Sequence, residues 1–241
     1  MPYFIRDNQQ RVDRLLGGGE KSANNTTMRK HSSMKLGRAS DREFEAILND
    51  KKYNTIASLS KAVNNDAEAL CKELNINRRK MTLKDADSGS SNPYKDRYNC
   101  QSCVAVYEAR RRGINVVARP FEKGGIADKL GDNGGIAFID ANGMTPKIKE
   151  YKGDIRKMEA EIKKDTKAIG RYHIGGNNNG YGHIFVAERL DKDTFILYDP
   201  QKNVTYKLGD ILNEYQSIEI LRVDNLRFNH DVLKAISQII S

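Results

Sequence analysis

Apolar positions along the 241 residues fall into two regimes. Between residues 41 and 80 they recur at helical spacing. Asp41 can cap a helix that carries Phe44, Ile47 and Leu48 on one face. Ser58 or Ser60 can open a second helix around Leu59 and Val63, and Asp66 precedes a third with Ala69, Leu70 and Leu74. Cys100 to Arg112 reads as one longer helix, because Cys100, Cys103, Val104 and Tyr107 stand at i, i+3, i+4 and i+7. Gly113 ends it, and residues 114–118 follow as a short apolar strand. Ile155, Met158 and Ile162 mark another amphipathic helix. Beyond it the spacing becomes strand-like over 168–174, 182–190 and 194–199, with Asp191-Lys192-Asp193 as a hairpin loop between the last two. A strand at 203–206, a helix at 209–215, a strand at 217–223 and a terminal helix at 229–240 complete the pattern. Helices first, then a mostly antiparallel sheet, predict an α+β fold in which the cysteine-bearing helix packs on the sheet.

Residues 1–40 show little periodicity and include Gly17-Gly18-Gly19, which reads as a poorly ordered or wrapping arm. Residues 85–93 have the composition of a linker. The expected division is therefore an N-terminal arm with a small helical region over 1–90, and a main domain over 91–241.

Composition narrows the class. At 38 % hydrophobic residues the chain can build a core, and three cysteines are too few for a disulfide framework. No apolar run approaches the ~20 residues of a membrane helix. The start, Met1 to Asp7, has no apolar stretch of a Sec-type signal, so no membrane partner is expected. The net charge of +9 is spread along the chain rather than gathered into a stripe. Its densest clusters, Arg78-Arg79-Lys80 and Arg110-Arg111-Arg112, read as solvated helix ends. Charge alone therefore does not argue for nucleic acid as the main partner.

The candidate chemistry begins at Cys100, at the start of its helix and directly after Asn99. A thiol there feels the positive end of the helix dipole, which favours the nucleophilic thiolate. His183 sits where the loop from Gly175 to Gly180 runs into a strand, and Gly182 beside it allows close approach. Imidazole titrates in the range a general base needs. Asp199 closes the next strand, so a hairpin of 182–190 with 194–199 brings it beside His183, where a carboxylate can orient the ring. Gln201 follows as a nearby polar group. The Cys100-Gln101-Ser102-Cys103 spacing lacks the preceding strand of a redox motif and the second ligand pair of a zinc site. The glycines form no phosphate-binding loop. No metal or organic cofactor is expected.

Asn92-Pro93, Asn99-Cys100-Gln101-Ser102-Cys103, the run from Tyr107 to Val116, Gly182-His183 and Asp199-Pro200-Gln201 together resemble the papain-fold toxin domain, also described as glutamine deamidase-like. The resemblance spans about residues 91–223. It implies a papain-like fold with Cys100 as nucleophile, His183 as base and Asp199 as orienting residue. Asn99, Gln101 and Gln201 are its candidates for substrate or oxyanion contacts, beside the Cys100 backbone N–H. The implied activity is hydrolysis of glutamine side-chain amides in a target protein, by a toxin or effector delivered into a target-cell cytoplasm. Cysteine peptidase activity is one alternative. The other is a phage virion or cargo protein that carries the domain in a virion. Residues 1–90 would then meet a capsid, portal or delivery partner, and an immunity protein would be a further partner.

Overall fold

A computed structural model describes residues 42–86, 91–179 and 181–239; the arm expected over 1–40 lies outside these residues. The N-terminal helices are α1 (residues 42–49), α2 (Lys61–Glu73) and α3 (Leu83–Ala86). Ser60 caps α2 by accepting a hydrogen bond from the Val63 N–H. Two helices expected over this stretch are one. Asp66 opens none, because its carboxylate accepts from the Phe228 N–H and contacts the His230 ring.

The cysteine-bearing helix is α4 (Cys100–Arg111), followed by β1 (Val116–Ala118). Next come α5 (Ile126–Asp132), a 3-10 turn (Gly134–Ala137), β2 (Phe138–Ile139) and β3 (Lys149–Lys152). The sequence pattern of this stretch is that of a glycine-rich loop, since its elements are too short to show a period. Asp154 then caps α6 (Ile155–Asp165) by accepting from the Lys157 N–H. β4 (Gly170–Asn178), β5 (Tyr181–Arg189), β6 (Phe195–Asp199) and β7 (Val204–Tyr206) form a meander, and α7 (Leu208–Glu214) leads to β8 (Ser217–Arg222). β9 (Arg227–Phe228), α8 (His230–Ile236) and β10 (Ser237–Ile239) close the described chain.

The fold is α+β. Its six-stranded sheet has the order β3-β8-β4-β5-β6-β7, every neighbouring pair antiparallel. Alternation along β5 sends Ile184 and Val186 to one face and Phe185 and Ala187 to the other. Phe185 packs with Met158 and Ile162 of α6 and Ile211 of α7. Ile184 and Val186 pack with Val104 and Tyr107 of α4, Phe44 of α1 and Leu83 of α3. Helices thus cover both faces. A further core joins α4 to α2 and α8 through Cys103, Val106, Leu70 and Leu233. Each such side chain contributes about 1.5–3 kcal/mol by leaving water. Packing runs across the boundary expected at residue 90, and Ala86, Ser91 and Asn92 of the expected linker are buried.

Three further expectations change. Gly175 and Gly176 lie inside β4 rather than in a loop; at Gly176 a Cβ would sit 2.4 Å from the Tyr215 ring. The terminal helix stops at Ile236, because residues 237–239 pair with β1 in the register Ala118↔Ser237. Arg110, Arg111 and Arg112 are buried, not solvated. Arg111 pairs with Glu188 at 2.6 Å, and Arg112 and Arg171 both bond Glu108. Arg110 donates to the carbonyls of Asp85 and Ala86. Burial alone would raise the Glu108 pKa; Arg171 and Arg112 outweigh it and hold the carboxyl down at about 2. Gly113 ends α4 at φ +90°, and a Cβ there would meet the Arg79 carbonyl oxygen at 2.7 Å.

Candidate active site

The site forms where the N-terminus of α4 meets the end of the β5–β6 hairpin. A helix start leaves N–H groups without intrahelical partners, and the residue before it normally caps one of them. Asn99 does not; its side chain makes no cap hydrogen bond. It is buried, and its Nδ2 donates to Asn92 Oδ1 at 3.2 Å and to the Arg119 carbonyl at 3.1 Å. Its Oδ1 accepts from the Cys103 thiol and from Gln201 Nε2, each at 3.2 Å. Asn99 is therefore a brace beneath the site rather than an oxyanion donor, a correction to its expected role. Among the described residues nothing accepts a hydrogen bond from the Cys100 backbone N–H.

β5 runs on past the end of β6, and His183 lies on that extension. Val186 pairs with Tyr198, which sets Asp199 opposite Phe185 and makes His183 its diagonal neighbour on the same face. His183 Nε2 lies 2.6 Å from Asp199 Oδ2. The other oxygen, Oδ1, accepts from the backbone N–H groups of Gln201 and Lys202 at 3.0 and 3.1 Å. The tight turn after β6 thus fixes the carboxylate before it meets the ring. The Cys100 thiol and the His183 ring face the same cavity, close enough to interact electrostatically. With Nε2 held by Asp199, Nδ1 is the nitrogen left to face the thiol.

Electrostatics follow from this geometry. Burial works to lower the His183 pKa, but its hydrogen bond to Asp199 and its interaction with Cys100 outweigh burial and push it up to about 9. Asp199 is fully buried; burial would raise its pKa, and the His183 bond and charge bring it below the ordinary value. The other thiols differ. Burial raises the pKa of both Cys103 and Cys71, which keeps them protonated. Of the three free cysteines, Cys100 alone is not fully buried.

A cavity of about 90 Å³ opens at the site, lined by Cys100, Gln101, His183 and Gln201, with Tyr98 and Tyr181 on its sides. Gln201 donates one amide N–H to Asn99, which leaves its second for a ligand. Gln101 lies against Gly134, where a Cβ would be 2.6 Å from its Oε1. It separates this cavity from a second of about 20 Å³ beside His173. His173 is no part of the site: burial, the largest influence, takes its pKa down to about 4, and the ring bonds the Val104 backbone.

Cys100, His183 and Asp199 thus come together, and Gln101 and Gln201 line the same cavity. Arg97, Tyr98, Tyr181 and Lys202 do not stand out in the sequence; they carry no spacing that ties them to a cysteine. Asn92 stands there only as part of a motif, although its side chain holds Asn99, the Asp96 carbonyl and the Gln201 carbonyl. Among the described residues no group of three or more His, Cys, Asp or Glu is placed to hold a metal, and no helix is long and apolar enough to cross a membrane. Compared with known proteins, the chain matches no family model, no curated protein and no solved structure.

Proposed function

We propose that this protein is a cysteine amidohydrolase with a papain-like site, acting on glutamine side-chain amides of a protein target. The observation that carries the reading is the Cys100–His183–Asp199 constellation, with the ring tied to a buried carboxylate at 2.6 Å and the thiol at an uncapped helix start. Cys100 gives its proton to His183 and its sulfur attacks the amide carbon. The oxyanion is held by the Cys100 N–H and the second Gln201 N–H. Imidazolium donates its proton to the departing nitrogen, the C–N bond breaks and ammonia leaves. Water, deprotonated by His183, then attacks the thioester; the carboxylate product departs and the thiol is restored.

Cavity size favours a side chain over a main-chain substrate. A cavity of about 90 Å³ suits the few atoms of a carboxamide side chain. The test is intact-mass analysis of glutamine-containing proteins incubated with wild type and with Cys100→Ala. The expected result is an amide-to-acid mass change without chain scission, absent with the variant. Fragments in place of that change would assign a peptidase instead.

A further inference from the structure

We infer that the glutamine taken by this site lies in an acidic stretch of its target, recognised by the cationic mouth of the cavity; this rests on the amidohydrolase reading above. Arg97 lines the mouth, is exposed, and has no ion pair among the described residues. Lys202 also lines it, with its side chain half exposed. It forms an ion pair with Asp199 Oδ2 at 3.6 Å, an oxygen that also binds His183 at 2.6 Å, and the exposed part of its side chain adds positive charge at the mouth. No Asp or Glu is among the described residues lining the cavity. Asp96, next to Arg97, turns its oxygens to the N–H groups of Tyr98 and Phe121.

The partly exposed rings of Tyr98 and Tyr181 wall the same mouth. An extended segment advances about 3.3 Å per residue, so residues flanking a glutamine inserted at Cys100 pass the rim that carries Arg97 and Lys202. Glutamate or aspartate there meets opposite charge; lysine meets like charge. The chain's net charge of +9 adds long-range attraction for such a target.

The test uses the full chain and three peptides of equal length, each with a central glutamine flanked by Glu, Ala or Lys. The readout is the peptide concentration that halves the rate of Cys100 alkylation by iodoacetamide, which needs no turnover. The Glu peptide should protect at a concentration at least about fivefold lower than the Lys peptide, the size expected of two rim ion pairs. The gap should shrink in high salt and close in Arg97→Glu. Equal protection, preference for Lys, or no protection by any peptide overturns the inference. Failure of the underlying reading shows separately, without peptide, as Cys100 alkylation equally fast in wild type and His183→Ala.

Discussion

The two ends of α4 treat polar groups in opposite ways. At the C-terminal end three arginines are buried, and Glu108, Glu188 and backbone carbonyls answer their charges. At the N-terminal end the helix has no side-chain cap, and beside it stand a half-buried thiol and a cavity. Burying a charge costs several kcal/mol unless a partner is well placed, so the closed end is what a structural network requires. The open end gains nothing for stability from its free N–H groups. Its polar groups are the ones on which the proposed chemistry rests. A closed ionic network and the open end of the proposed site thus lie within one helix of about 18 Å.

The comparison breaks first at Cys100. Replacing it with Ala should abolish amide hydrolysis, a loss of about 10⁴-fold or more, with the melting temperature unchanged within error. A matching loss of stability would put Cys100 among the structural residues. Glu108→Gln tests the other end. It leaves Arg112 and Arg171 buried short of a counter-charge, and urea unfolding should read a loss of about 3–5 kcal/mol. Activity per folded molecule should hold. Asp199→Asn comes next: the ring keeps a neighbour of the same shape but loses its negative charge, and kcat/KM should fall about 10²–10³-fold.

The smallest effect separates the ends by pH. His183 has a folded pKa raised to about 9, so its stabilising contribution is complete below its unfolded value of about 6.5 and is lost as pH rises through 9. Glu108 has its pKa lowered to about 2, so its contribution is complete above about 4.3 and is lost as pH falls toward 2. Activity, which needs the His183 proton for the leaving nitrogen, should show an alkaline limb near pH 9. Asp199→Asn should move that limb to lower pH and leave the acid unfolding limb where it is.

What is legible in the sequence is local. A cysteine at a helix start and a hairpin that aligns His183 with Asp199 need only period and turn signals, so the three central residues stand out from the pattern alone. The α+β order stands out for the same reason. Groups whose partners are distant in sequence do not. Arg111 finds Glu188 and Arg112 finds the Val223 and Leu226 carbonyls, so the arginine run reads locally as a solvated helix end. Asn99 reads as a substrate contact because nothing nearby shows that Asn92, Arg119 and Gln201 occupy its amide. β10 continues a helical pattern, and only the edge that β1 offers turns it into a strand. Arg97 and Lys202 become legible only when the cavity joins them.

The central claim is that His183 activates Cys100. Alkylation by iodoacetamide, followed cysteine by cysteine in folded wild type and in His183→Ala, tests it most directly. Cys100 should react alone while Cys71 and Cys103 stay protected, and its rate should fall about tenfold or more in the variant. Comparable labelling of all three thiols, or a Cys100 rate indifferent to His183, would contradict the account.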